Sequence, residues 1–348
     1  MIITYLRSSS YTAHEMCPMR YFIEYNLGWR GPSNKKAEKG TIVHKVMEIL
    51  GNIKLTIQEG KRKTFDDDVV GRVHTTKFKL DHIIEKVYKY YSSRSENIWD
   101  EADFRECVNW THKSLSYNNG EFNPLNMDMV SAEQAFDITI NKPWAMYEYD
   151  MPDGTTLSGL LAIKGTIDQV SKIDNETYMI LDFKTGRRWN WAKDHEKTYE
   201  HLNNDSQLLM YYYAARHIYP DIPHIMITIY FINDGGPFSI CFSDEDIPRI
   251  ERMLQKKFED IKHTEIPRRN RSWKCTKFCH FGKNTFSGTN IPVIHERRDN
   301  QVCAMGEPMT MCEQTAYCLE HRPINTVIKN MSAPNHNIDF YKAPGSTD

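Results

Sequence analysis

The sequence predicts an α/β (α+β) fold: helices around a β-rich centre, with a cysteine-bearing lobe towards the C-terminal end. Three observations carry this. The run "HIMITIYFIND", starting at residue 224, is almost continuously β-branched and aromatic, as a strand buried on both faces should be. The stretches "DSQLLMYYYAARHIY" and "SDEDIPRIERMLQKKFEDIKH" on either side of it have helical patterning. Five of the eight cysteines (Cys275, Cys279, Cys303, Cys312 and Cys318) fall in the last quarter of the 348 residues. Strand and helix patterns in alternation argue for a layered core.

The elements follow in chain order. "SSSYTAHEMCPMRYFIEY", residues 8–25, reads as a helix opened by serines and divided or kinked at Pro18. "GPSNKKAEKG", 31–40, reads as a polar loop, and "TIVHKVMEIL" then sets Ile42, Val43, Val46, Met47 and Leu50 on one helical stripe. Residues 77–117 are expected to be mostly helical, and "SAEQAFDITI", 131–140, to be a strand. "TTLSGLLAIKGTIDQVSKI" and "TYMILDFKTG" read as two strands joined by a tight polar turn at Asp174, Asn175 and Glu176. A helical piece is expected around 310–330, and the tail "SAPNHNIDFYKAPGSTD" to be flexible. The implied division is a helical region over 1–130 that includes the start of the core, a core over 131–265, a cysteine-rich lobe over 266–330 and a tail over 331–348.

With 40% hydrophobic and 26% charged residues and a net charge of −2, the composition is that of an ordinary globular protein. It gives no general attraction for a polyanion, so any nucleic-acid surface must be a local groove. No apolar segment is long enough to span a membrane, and the N-terminal stretch lacks the apolar core of a signal peptide. A cytoplasmic location is expected. In that setting clustered cysteines point to metal or iron–sulfur ligation rather than disulfides.

Chemistry concentrates at two strand ends. If the strands around Asp168 and Asp182 pair as a hairpin, the two carboxylates meet at one end of the sheet and repel unless a cation lies between them. Oxygen ligands of this kind suit magnesium or manganese. Lys184 shares the face of Asp182 by the period-two rule, where an ammonium could position a water or offset charge on a phosphate. Taken alone, Asp182 and Lys184 also fit a solvated ion pair of little energetic weight. "GRRWNWAK" puts Arg187, Arg188, Trp189, Trp191 and Lys193 just beyond. Those residues suit either a single strand of DNA or packing against a neighbouring lobe. Glu133 reads as a surface residue more readily than as a further acidic member of the site.

"GTIVHKVMEIL", "GTIDQV", "ILDFKTG" and "DSQLLMYYYAA", in that order, resemble the PD-(D/E)XK nuclease superfamily, specifically its RecB-like branch with AddB-type and CRISPR-adaptation relatives. The similarity runs from about residue 8 to residue 280. It implies a restriction-endonuclease-like core, a mixed β-sheet flanked by helices, and a metal-dependent DNA exonuclease acting on free ends or single strands in recombination, repair or end processing. It implies His44, Asp168, Asp182 and the Phe183 carbonyl as metal ligands, and Asp168, Asp182 and Lys184 as the catalytic set. Gln207 and Tyr211 share a helix face and would contact DNA or orient the lysine. Members with a 4Fe-4S cluster place one cysteine before the core and three after it; here Cys17, Cys275 and Cys279 occupy matching places, although Cys275 and Cys279 are spaced C-x-x-x-C where the family usually has C-x-x-C, and the fourth ligand is one of Cys303, Cys312 and Cys318, with Cys312 favoured. A zinc site of Cys275, Cys279, Cys312 and Cys318, with His280, is the rival, and free buried thiols the third possibility. Two other functions stay open: a non-catalytic DNA-end-binding or assembly protein, and an iron–sulfur redox protein. No phosphate-binding loop is present, so unwinding would need a helicase partner.

Overall fold

The strand-forming runs assemble into one six-stranded mixed sheet in the order β1-β7-β8-β11-β12, with β4 on the other edge of β7. This arrangement belongs to a computed structural model that describes residues 1–283, 310–334, 336 and 341.

The chain opens with β1 (Tyr5–Leu6), α1 (Ser8–Met16) and α2 (Pro18–Tyr21). Pro18 does divide the first helical segment: it sits at the first position of α2 and cannot donate the N–H that would continue α1. A π-helical turn, Phe22–Asn26, follows. The polar loop expected at 31–40 is shorter than it reads. Asn34 caps α3 (Lys35–Glu59), its side chain accepting from the Ala37 N–H at 2.9 Å, so the helix starts within the polar stretch. A hairpin of β2 (Thr64–Asp67) and β3 (Gly71–His74) precedes α4 (Leu80–Ser92) and α5 (Glu101–Ser116), which pack on α3.

Next come β4 (Asp128–Thr139), the hairpin of β5 (Met146–Asp150) and β6 (Thr156–Leu160), β7 (Ala162–Lys172) and β8 (Thr177–Lys184). The run 155–173 is thus two strands rather than one. Leu161 breaks it, because its N–H donates to the Ala145 carbonyl at 2.8 Å instead of continuing a ladder. The short β9 (Trp189–Asn190) and β10 (His195–Glu196) pair with each other and lead to α6 (Tyr199–Asn203) and α7 (Ser206–Ile218). Then β11 (His224–Phe231) runs parallel to β8 and antiparallel to β12 (Gly236–Phe242), and α8 (Ile247–Lys262) returns over the sheet. Finally α9 (Trp273–Lys277), α10 (His280–Lys283), α11 (Met311–His321) and α12 (Ile324–Met331) build the C-terminal lobe.

Alternation along β8 divides the interior. Met179, Leu181 and Phe183 enter the core beneath α3, α4 and α5, whereas Ile180 enters the core shared with α7 and α8. The tail is anchored where it was expected to be flexible: Tyr341 is buried, its hydroxyl donates to the Asn26 carbonyl at 2.5 Å, and its carbonyl accepts from Thr4 Oγ1. Most of the remaining tail lies outside the described residues. No helix among the described residues is long and apolar enough to cross a membrane.

Candidate active site

The central sheet forks beside β7. Strand β8 pairs with it from Gln169↔Leu181 to Lys172↔Tyr178, and the next register position holds Asp168 and Asp182. There the ladder stops. The same edge of β7 is taken up again by β1, at Ala162 and Ile163, running in the opposite sense to β8. Gln207 and Tyr211 of α7 reach into the gap. The Tyr211 hydroxyl lies 2.9 Å from the Thr166 carbonyl and 3.1 Å from Asp182 Oδ1, and Gln207 Nε2 donates to both Asp182 Oδ1 and the Tyr211 oxygen.

The ion pair at the end of β8 is not a surface ornament. Asp182 is 1% exposed, and its Oδ2 lies 2.5 Å from Lys184 Nζ. A solvated pair contributes about 0–1 kcal/mol, while withdrawing a carboxylate from water costs on the order of several kcal/mol. Stability therefore does not explain the pair. Among the described residues Oδ2 has no hydrogen-bond partner beyond this ion pair. Asp168 is held differently. Its Oδ2 accepts from the Phe183 N–H at 2.9 Å and lies 3.3 Å from His44 Nδ1.

His44 reaches this point because α3 lies close to the strand end. A Cβ on Gly40, one turn earlier, would come within 2.8 Å of Thr185 Oγ1, so only glycine fits that approach. Phe183 then meets the imidazole edge-on at 6.4 Å. Burial opposes a charged His44, but the Asp168 carboxylate outweighs it and lifts the pKa to about 9. Burial pushes the Asp182 carboxyl above its usual range, against the pull of Lys184. For Asp168 burial acts the same way, but His44, Lys184 and the Phe183 N–H prevail and lower it. Two buried carboxyls this close repel one another, and a cation between them would relieve that repulsion.

Glu133, expected at the surface, belongs to this group. It stands opposite Asp168 in the β4–β7 register and adopts φ 50°, a left-handed conformation uncommon for a residue with a Cβ. Burial pushes its carboxyl up to about 7, with Asp168 adding to the push. Ligand atoms of His44, Glu133 and Asp168 all lie within 4.8 Å of one another. This trio can hold a hard divalent cation, and Asp182, its Oδ2 paired with Lys184, stands beside it where the β7–β8 ladder stops. Sequence reasoning undervalued Glu133 because its placement depends on a strand register that no local pattern reveals.

The remaining candidates separate. Gln207 and Tyr211 bond to the Asp182 carboxylate rather than to the lysine. Arg188 is held internally: it pairs with Glu196, donates to the Lys197 carbonyl at 2.8 Å and lies 4.8 Å over the Phe238 ring. Arg187 is exposed beside it.

Cys17, Cys275, Cys279 and Cys312, from opposite ends of the chain, gather in one region. Cys17 Sγ accepts from the Asn270 N–H at 3.5 Å, and Cys275 Sγ donates to the Asn270 carbonyl at 3.5 Å. Burial pushes Cys312 up to about 12, and Cys17, Cys279 and Cys275 add to it. Cys318 forms a disulfide, so it is not a free thiol for the rival zinc set. Cys303 lies outside the described residues.

A family model described as the PD-(D/E)XK nuclease superfamily matches residues 8–283. No curated protein matches the chain. Among solved structures, one described as "Putative exonuclease" from Eubacterium rectale is 12% identical, with 79% of this chain and 87% of that chain covered and a TM-score of 0.43. Another, SSO0001, is 14% identical over 80% of this chain and 84% of that chain, with a TM-score of 0.30.

Proposed function

Because the chain belongs to the PD-(D/E)XK nuclease superfamily, we propose that it is a metal-dependent DNA exonuclease of the RecB-like kind, serving recombination, repair or end processing. The observation that carries this is the fork itself: Asp168 and Asp182 meet where the ladder stops, with Lys184, His44 and Glu133 around them. His44, Glu133, Asp168 and Asp182 Oδ2 would hold magnesium or manganese, with the Phe183 carbonyl as a further ligand. When bound, the ion makes an attacking water more acidic and neutralises charge on the phosphate.

The chain's own groups do the rest. Lys184 presents its ammonium to the scissile phosphate and to the water, where it offsets charge that grows in the transition state. Tyr211 and Gln207 would fix the Asp182 carboxylate through Oδ1, leaving Oδ2 to Lys184 and the ion. The Phe183 N–H would likewise fix the Asp168 carboxylate. Arg187, exposed after the end of β8, would meet a phosphate beyond the scissile one, and Arg188 would hold the loop that carries it. Without a phosphate-binding loop, strand separation would come from a helicase partner.

The four gathered cysteines would hold a 4Fe-4S cluster. What supports this reading is that Cys17, Cys275 and Cys279 all act electrostatically on Cys312; a tetrahedral zinc is the rival.

The test is digestion of end-labelled linear and closed circular DNA, single- and double-stranded, with magnesium or manganese and with chelator. Linear molecules should shorten from their ends, circles should survive, and chelator should stop the reaction. If neither metal supports cleavage of any substrate, the site is a non-catalytic DNA-end clamp instead.

A further inference from the structure

The hairpin after the catalytic lysine carries a feature that hydrolysis does not require. Trp189 and Trp191 have ring centroids 6.3 Å apart, Trp191 and Phe278 5.4 Å, and Phe278 and Trp273 5.1 Å. The four rings form a chain from β9 to α9. Its outer members are open to solvent: Trp191 is 42%, Trp273 51% and Phe278 58% exposed. Leaving a large apolar side chain exposed forgoes part of the stabilisation its burial would give. Three such side chains in one patch call for a reason.

The patch is rigid. Arg188 ties the hairpin through Glu196 and the Lys197 carbonyl, and the Arg188 N–H donates to Asp234 Oδ2 at 2.7 Å. Lys274 of α9 bridges back to the hairpin, 3.0 Å from Asp194 and 3.4 Å from the Ala192 carbonyl. The rings are thus presented on a prepared surface.

The patch is also continuous with the fork. Trp189, Trp191 and Phe278 line a long cleft that includes Thr185, Gly186 and Gln207, and Thr185 and Gly186 also border the pocket of His44, Asp168 and Lys184. Seven Lys and Arg side chains line the cleft against three carboxylates, in a chain whose net charge is −2. Two of the seven, Lys36 and Lys277, are exposed with no ion-pair partner among the described residues.

We propose that Trp191, Phe278 and Trp273 form a stacking platform for the bases of a single-stranded nucleic acid whose end is delivered along the cleft to the fork. This rests on the nuclease reading and names its substrate. Unpaired bases offer π-faces to aromatic rings while lysines follow the backbone. A duplex hides those faces, so the platform selects against it. Lysine-rich rims are unusual for protein contacts, from which lysine is depleted, and the charge excess favours a polyanion.

The test uses the full-length protein in chelator, where no cleavage occurs, and reads fluorescence anisotropy of an end-labelled 20-mer of thymidine and of a blunt duplex of the same length. The wild type should bind the single strand more tightly than the duplex, with quenching of tryptophan emission. Trp191→Ala, Trp273→Ala and Phe278→Ala should each weaken single-strand binding about tenfold, the loss expected for one stacked base. Duplex binding and the melting curve should stay unchanged. Trp191→Phe should keep most of the affinity, which guards against a folding defect in Trp191→Ala. If all three alanine variants bind the single strand like wild type, or lose single strand and duplex equally, the platform is wrong and the patch serves another contact. Since no metal is present, this outcome is independent of whether the fork cleaves DNA.

Discussion

The sheet fork and the cysteine lobe both bring together groups distant in sequence, but they do it to different standards. At the fork, Asp182 lies 2.5 Å from Lys184, and Asp168 lies 2.9 Å from the Phe183 N–H and 3.3 Å from His44. In the lobe, burial raises the Cys312 and Cys279 thiols, and neighbouring thiols add to it. The fork is preorganised by a sheet whose register has no slack. The lobe depends on short helices and on whatever the sulfurs bind. Chemistry at the fork should therefore be sensitive to single atoms, whereas the lobe should answer in stability.

Removing a carboxylate tests the first half most severely. Asp168→Ala and Asp182→Ala should each reduce cleavage to background while the circular dichroism spectrum keeps its native shape. Each leaves buried partners unpaired, Lys184, Gln207 and Tyr211 in one case and His44 in the other, so the melting temperature should fall, but the folded fraction would still lack a ligand of the proposed ion. Near-normal cleavage by folded Asp182→Ala would break the comparison outright. Lys184→Ala comes next: kcat should fall about 100-fold or more, while DNA binding in chelator is kept. Unaltered kcat would return the lysine to the role of an ion-pair partner.

The sequence made these three residues legible because each is a matter of local period. Asp182 and Lys184 alternate on one strand, and the polar turn at Asp174–Glu176 fixes the hairpin that sets Asp168 opposite Asp182. Glu133 was not legible. Its position follows from the β4–β7 register, from a register shift between Met129 and Ser131, and from a φ of 50° that nothing in "SAEQAF" announces. The target of Gln207 and Tyr211 was half-legible: spacing by four gave the shared face, but only the docking of α7 shows that they serve the carboxylate. Strand β12 escaped notice because it opens on Gly236 and Pro237, poor strand formers tolerated at a sheet edge.

Glu133 sharpens the comparison inside the fork. Glu133→Gln keeps the shape and removes the charge. The magnesium concentration giving half-maximal rate should rise about tenfold or more, since even the partners of metal ligands are commonly worth that much, while the rate at saturating magnesium changes far less. A normal magnesium titration would show that the strained conformation serves packing and not the ion.

The cysteine lobe should show the smallest effect on chemistry and the clearest one on stability. Cys17 and Cys275 lie at opposite ends of the core, so a cluster joining them closes most of the chain into a loop. That restricts the unfolded ensemble, although the gain grows only slowly with loop length. The sulfurs take no part in the contacts around Asp168 and Asp182. Protein purified without oxygen should be brown, with iron and acid-labile sulfide in comparable amounts. Cys17→Ser, Cys275→Ser, Cys279→Ser and Cys312→Ser should each bleach it and lower its melting temperature, yet leave kcat near wild type for the fraction that stays folded. Cys303→Ser and Cys318→Ser should keep the colour, because the proposed ligand set is complete without them and Cys318 is already bound in a disulfide. Colourless protein carrying one zinc per chain would discard the cluster and leave the fork untouched. A bleached variant that stayed fully folded but lost kcat would show that the lobe reaches the chemistry after all.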